Sequence, residues 1–356
     1  MADDNRLGLF LTGLPAPMAI DYAVRAEQAG FRSAWFPEIT FADAFGPATA
    51  ASQRTGRIGL GTGVVGVWSR SAVTLALQAA TLHQLSGGRL LLGLGVQARG
   101  YVKGWHGQEY RKPLTAMRDM VTILRRLLRG EHVSYDGEVF SVKNFQLQME
   151  LPEQPPRVYV AANGPKMIQL AGEIADGMIG YFHSLEYVRD VVMPNLQIGA
   201  ERGGRSIEEL DATVGFPALV TRDDSGIELV KGQVMMFATA LDSAPAYAES
   251  VRAASYGSQM EEIQERVASG DLAGAVAAVP DEMANALTMA GSAENVRGRV
   301  QAYLDAGLTG VMLNPSPPGG YFPLYEGHFP ESATLPPFDF PGFVGTLDAT
   351  VELLAA

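Results

Sequence analysis

The sequence predicts an α/β protein of the (β/α)8 TIM barrel type. Three features carry this reading: eight short apolar runs, longer amphipathic runs between them, and a length of 356 residues, which suits one barrel with insertions. Strands are predicted at 7–12, 33–37, 58–63, 90–95, 157–161, 177–181, 212–220 and 310–314. Eight is the number that closes a barrel. Between them, helices are predicted at 17–29, 72–85, 114–128, 165–174, 185–200 and 292–306. Gly30, Gly130 and Gly307 follow the first, third and last of these, where a helix end favours glycine. The helix between strands two and three, within 41–54, is the least defined because Gly46 and Pro47 interrupt it.

Two segments exceed a minimal repeat, while 1–356 as a whole reads as one barrel domain. The connection 221–291 is far longer than an ordinary βα loop and reads as a helical insertion after strand seven, where insertions shape barrel active sites. The segment 315–345 interleaves prolines with Tyr321, Phe322, Tyr325, Phe329, Phe338, Phe340 and Phe343. It reads as a non-helical, ordered C-terminal arm, followed by a short closing helix at 348–354.

Composition excludes several classes of function. No apolar run approaches the roughly 20 residues of a membrane span, and the start, Met-Ala-Asp-Asp, lacks the basic and apolar regions of an export signal. A cytoplasmic protein is expected. With no cysteine, thiolate zinc sites and cysteine nucleophiles are ruled out. The five histidines are scattered, and no metal site is predicted. A net charge of −12 argues against nucleic acid and anionic membranes as partners.

That charge is uneven. Between Ala44 and Gln108 no Asp or Glu occurs, while Arg54, Arg57, Arg70, Arg89, Arg99 and Lys103 do, so this stretch carries +6 and the remainder −18. Two readings stand: buried strands that exclude carboxylates, or a site for an anion.

The string Gly61-Thr62-Gly63-Val64-Val65-Gly66 matches the dinucleotide pattern G-x-G-x-x-G but fails its context. No helix opens within the glycines, and no acid follows until Glu109. Glycines at a strand end instead mark a bulge or a close approach of backbone to ligand. Strand four also ends in glycine, at Gly93 and Gly95, and continues into a loop carrying Gln97, Trp105 and His106. After strand five, Ala161-Ala162-Asn163-Gly164-Pro165-Lys166 runs into a helix, which reads either as a phosphate cradle or as an ordinary capped helix start.

Taken together, these segments resemble the bacterial luciferase-like superfamily, in particular its branch using the deazaflavin coenzyme F420. The resemblance rests on 60–65 with Arg70, 85–95, 160–167, 170–177 and 290–311, and leaves out the proline-rich arm. It implies a dimeric barrel and a non-prolyl cis peptide in the strand-three bulge, at Gly63-Val64, which supports the cofactor ring. It further implies that Glu38, Gly63, Val64, Val65, Val96 and Gln97 line the ring, and that Ala161, Ala162, Asn163, Gly164, Gly177 and Met178 hold the phosphate. Under this resemblance the +6 stretch is a site for the anionic cofactor tail.

Departures from the branch patterns are informative. Ala98 stands where the glucose-6-phosphate dehydrogenases have a glutamate, Glu38-Ile39 replaces their Asp-His pair, and Gly66-Val67 replaces the reductases' Asn-Pro. The expected activity is F420-dependent hydride transfer to or from an electrophilic carbon of a small organic molecule, an enone, imine or carbonyl. Trp68, His106, Tyr181 and His183 are the candidates to steer or protonate substrate. The alternatives are an FMN-dependent monooxygenase and a cofactor-binding protein without catalysis.

Overall fold

The computed structural model describes residues 6–40, 42–239, 245–319 and 338–355. The chain begins with β1 (Leu7–Phe10), α1 (Ala16–Gln28), β2 (Ser33–Phe36), α2 (Phe45–Ser52) and β3 (Gly59–Thr62). A two-residue β4 (Val65–Gly66) continues β3 after a break at Gly63-Val64, whose peptide bond is cis. Next come α3 (Ala72–Leu85), β5 (Leu90–Gly95), α4 (Arg99–Gly104), α5 (Pro113–Leu127) and the hairpin of β6 (Val133–Asp136) and β7 (Ser141–Phe145). The barrel resumes with β8 (Arg157–Ala161), α6 (Pro165–Ile174), β9 (Gly177–Tyr181), α7 (Leu185–Tyr187), a π-helical turn at Val188–Val192, and α8 (Met193–Arg202).

Strand β10 (Asp211–Thr221) is followed by six helices: α9 (Gly226–Leu229), α10 (Lys231–Thr239), α11 (Pro245–Ala253), α12 (Gly257–Ala268), α13 (Leu272–Ala277) and α14 (Asp281–Leu287). The chain then returns through β11 (Met289–Ser292), α15 (Ala293–Asp305), β12 (Gly310–Pro315) and α16 (Phe340–Leu353). Strands β12, β1, β2, β3, β5, β8, β9 and β10 pair in that order, all parallel, and β10 pairs back onto β12 to close the barrel.

The strands that close the barrel are the eight read from the apolar runs. Three features differ from the sequence reading. The β6–β7 hairpin and β11 are additional strands, too short and too polar or too near the insertion to stand out by period. Helix α16 starts at Phe340, eight residues before the predicted start, so part of the supposed non-helical arm is helical. Its Pro341 lies in the first turn, where a missing N–H costs nothing, and Asp339 accepts from the Gly342 N–H at 2.9 Å. The rest of the arm, 320–337, lies outside the described residues.

Sequence dictates the local ends. Ser71 accepts from the Thr74 N–H at the start of α3, and Ser292 does the same for Asn295 at the start of α15. Gly307, at φ 107°, ends α15 in a conformation that L side chains rarely adopt.

Inside the barrel, Phe10, Trp35, Tyr159, Ile179 and Met312 form a separate packed layer. Trp35 meets Tyr159 edge-on, with ring centroids 5.6 Å apart. These rings occupy space that glycines leave. A Cβ on Gly61 would fall 2.2 Å from Trp35, and one on Gly63 would fall 2.4 Å from Phe10. The G-x-G-x-x-G string thus serves interior packing in its first two glycines. Below the rings, Tyr159 donates to Asp211 at 2.5 Å, and Asp211 also pairs with Arg32 and Arg157. Although burial raises the Asp211 carboxyl, the Tyr159 hydrogen bond and the two arginines hold it below its ordinary value.

A second core belongs to the insertion: Val234, Met235, Phe237, Val251, Met260 and Ile263 pack with Phe182 and Leu219 of the barrel. Its attachment is β10, eleven residues long, which pairs with β9 at its base and with β11 at its C-terminal end.

Gly93 gives the sharpest stability test. A Cβ there would lie 2.0 Å from the Thr62 carbonyl oxygen, a backbone atom that cannot swing away. Gly93→Ala is expected to cost about 3 kcal/mol in urea denaturation. Gly100→Ala, where a Cβ meets nothing within 4 Å, is expected to stay within about 1 kcal/mol of the parent.

Candidate functional site

The site lies at the C-terminal ends of the barrel strands. A cavity of about 270 Å³ opens there, and a second of about 250 Å³ adjoins it through shared Glu38, Ile39, Gln97 and Trp105. Together they reach the size of small-molecule sites.

Each wall comes from a different strand end. Phe10 and Thr12 follow β1, Pro37 to Ile39 follow β2, and Gly63 and Val64 form the break between β3 and β4. A Cβ on Gly95 would fall 2.5 Å from Val64 Cγ2, so that glycine makes room for the valine to stand at the bulge. Gln97 follows β5 with φ 55°, an uncommon backbone for a residue other than glycine, and its amide covers Gly66. Tyr181 ends β9 and Asn314 lies in β12, with Asn314 Nδ2 donating to the Tyr181 hydroxyl at 2.8 Å. Phe237 of α10 and Tyr247 of α11 complete the wall from the insertion, their rings 5.2 and 6.4 Å from that of Tyr181.

Charge in the cavity is balanced. Glu38 accepts from Arg70 at 2.5 Å and from the Ser69 hydroxyl at 3.0 Å. Hydrogen bonding is not. Gln97 Oε1, Asn314 Oδ1 and His106 Nε2 are buried without a partner among the described residues. Gln97 lines both cavities, Asn314 the first and His106 the second, so the mouth sets polar side chains over an apolar floor.

Of the residues singled out from sequence, Glu38, Gly63, Val64, Gln97 and Tyr181 line the first cavity and His106 the second. The others are elsewhere. Trp68 is buried against Tyr110 and Phe140, with centroids 6.0 and 5.2 Å away, because the chain after β4 turns outward under the β6–β7 hairpin. His183 is fully buried beside Tyr187 and lines neither cavity, and burial pushes its imidazole down to about 3. Val65 is buried in its pairing with Leu94, and Val96 packs on the barrel core. Gly177 and Met178 are buried at the first residues of β9, the end of the strand remote from the mouth. Ala161, Ala162, Asn163 and Gly164 form the turn from β8 into α6 but do not line the cavities. Asn163 there serves the framework: its Oδ1 accepts from the Tyr181 N–H, and its carbonyl accepts from the Tyr187 hydroxyl.

The basic stretch also divides. Arg89 donates five hydrogen bonds, to the carbonyls of Ser52, Thr55, Ile58 and Ser86 and to the Thr55 hydroxyl. Arg54 pairs with Asp21, and Arg70 with Glu38. Arg99 and Lys103 lie on α4, whose Tyr101 stacks in parallel, 3.8 Å away, on Trp105 just past the helix end, and both rings line the cavity. The spacing of four in both pairs puts each on one side of the helix.

Sequence reading missed Phe10, Thr12, Tyr101, Phe237, Tyr247 and Asn314. Position at the last residue of a predicted strand could have found Thr12 and Asn314. Nothing local marks Phe237 or Tyr247, which reach the site only through the packing of the insertion.

A cavity of this kind at the C-terminal mouth of an α/β barrel is where enzymes of this architecture act. The chain belongs to the luciferase-like monooxygenase family, whose model matches residues 8–310. Among relatives, 5,10-methylenetetrahydromethanopterin reductase of Methanolobus tindarius is 28% identical over 306 residues, covering 85% of this chain and 91% of that one. F420-dependent glucose-6-phosphate dehydrogenase of Amycolatopsis mediterranei is 27% identical over 312 residues, covering 83% and 87%. Among solved structures, the coenzyme F420 dependent tetrahydromethanopterin reductase from Methanopyrus kandleri superposes with a TM-score of 0.76 at 24% identity, covering 88% of this chain and 94% of that one, a likeness of fold.

His183 yields a pH test. Unfolded, its imidazole takes a proton below about 6.5, whereas the folded chain keeps it neutral down to about 3. Its contribution to stability is therefore present above pH 6.5 and declines as pH falls toward 3, by up to roughly 1.4 kcal/mol per unit. Urea denaturation of His183→Leu between pH 4.5 and 7.5 is expected to show a shallower slope than the parent.

Proposed function

We propose that this protein is an F420-dependent oxidoreductase acting on a small organic substrate. The observation that carries the reading is a mouth cavity with an apolar floor at Val64 and polar side chains in its wall, Gln97 and Asn314, with His106 in the adjoining cavity. The relatives named as F420-dependent enzymes support it.

In this reading the deazaflavin supplies a carbon, C5, that gives or accepts a hydride when bound. The chain does the rest. Gly63 and Val64 provide a surface against which a flat ring can rest. Gln97 offers a hydrogen-bond acceptor to the ring's polar edge. Arg70 and Ser69 hold the Glu38 carboxylate in place, so it presents a fixed, compensated charge. Arg99 and Lys103, on the rim helix, attract an anionic tail. The insertion's Phe237 and Tyr247 keep water from the reacting face and leave room for an electrophilic carbon of an enone, imine or carbonyl.

Titration of the apoprotein with F420 and with FMN, followed by fluorescence, tests this. F420 is expected to bind at least 10-fold more tightly than FMN. Tight FMN binding without F420 binding overturns the proposal in favour of a flavin monooxygenase. Replacing both Arg99 and Lys103 by Ala is expected to weaken F420 by roughly 3- to 10-fold at low ionic strength, and much less at about 0.5 M salt, because both cations are exposed. No change at low salt removes the rim cations from cofactor binding.

A further inference from the structure

One aromatic side chain among the described residues is left exposed. It is Trp105, at the C-terminal cap of α4, with 46% of its surface open. The ring is nonetheless held. Tyr101, four residues earlier and on the same side of the helix, lies within 8° of parallel to the indole at a centroid separation of 3.8 Å, and the Tyr101 carbonyl accepts from the Trp105 backbone N–H at 2.8 Å. One face of the indole is thereby covered and its plane is fixed. No second ring stacks on it among the described residues, and the rest of the side chain lines both cavities of the mouth.

The second cavity is set apart from the Val64 floor. It shares Glu38, Ile39, Gln97 and Trp105 with the first, but Gly63 and Val64 line the first alone. Its volume of about 250 Å³ suits one ring with a short substituent, since an apolar cavity of about 150 Å³ holds benzene. Building on the function proposed above, we propose that Trp105 is a stacking platform that selects the substrate, and that the substrate is an uncharged molecule whose electrophilic carbon is attached to a planar unsaturated ring. A flat π-system keeps contact over the whole indole face and adds a quadrupole attraction that a puckered, saturated ring lacks. The lack of charge follows from the lining. No lysine or arginine lines either cavity among the described residues, and Glu38 is already paired with Arg70. A carboxylate or phosphate would enter without such a countercharge, and a cation would meet a carboxylate already neutralised.

The test measures binding, not turnover. With the protein saturated in oxidised F420, which has no hydride to give, dissociation constants are taken by calorimetry for acetophenone and for cyclohexyl methyl ketone. The two share a methyl ketone and differ in the ring. Apolar burial alone favours the saturated ketone, so tighter binding of acetophenone, expected at roughly 3- to 10-fold, isolates stacking. Trp105→Leu, which keeps an apolar side chain, is expected to bring the two ketones within about 2-fold of each other, with F420 affinity and melting temperature unchanged. Trp105→Phe, which keeps a smaller ring, is expected to restore part of the preference. The platform is overturned by a parent that binds the saturated ketone as tightly as acetophenone or binds neither, and by a preference that survives in Trp105→Leu. A loss of F420 affinity in Trp105→Leu in place of the ketone preference overturns it too, because the indole then serves the cofactor. A parent that binds no F420 refutes the functional reading by itself, and the same ketone comparison on the apoprotein still decides the platform.

Discussion

Ring packing inside the barrel is the constraint on which the rest depends. Trp35 and Phe10 fill space that Gly61 and Gly63 vacate, and Thr62 approaches β5 so closely that only glycine fits at position 93. With rings seated there, the next residue along the chain, Val64, stands at the bulge facing the mouth, and Gly95 keeps clear of it. The floor of the cavity is thus the upper surface of the interior core. The geometry of the candidate site and the packing of the fold are here set by the same atoms, so its base needs no loop to shape it.

A second dependency runs through Tyr181. It belongs to the interior layer, by contact with Phe10, and to the insertion, by contact with Phe237 and Tyr247. Asn163, three residues into the turn after β8 begins to close, fixes its backbone. The wall and the floor therefore share one residue, and the position of its hydroxyl is decided by both cores at once.

The repeat was plain in the sequence because parallel strands buried on both faces leave uninterrupted apolar runs, and because Ser71, Ser292, Gly30 and Gly307 punctuate helices in the expected way. Part of the candidate site was legible as well. Glu38, Val64 and Gln97 sit at strand ends, and the strand-end position alone marks the mouth. What misled was chemistry read without height along the strand. Gly177 and Met178 belong to the right strand but to its far end, and His183 lies just past the right end but is fully buried beside Tyr187. Trp68 follows the bulge, yet the chain has already left the barrel there. The charge excess was also a mixture: Arg89 gathers backbone carbonyls, Arg70 pairs with the Glu38 of the cavity wall, and Arg99 and Lys103 lie on the helix next to it. No pattern in one dimension separates these roles, since they differ only in which way the chain turns.

Strand β10 is buried along ten of its eleven residues and carries a different neighbour at each end. Its base is committed to closing the barrel, and its tip holds the helices that supply Phe237 and Tyr247. The chain is thereby divided into a barrel closed by the base of β10 and a set of helices, with a core of their own, that its tip carries to the mouth. Side chains that those six helices turn toward the mouth can therefore vary while the floor at Val64 stays in place.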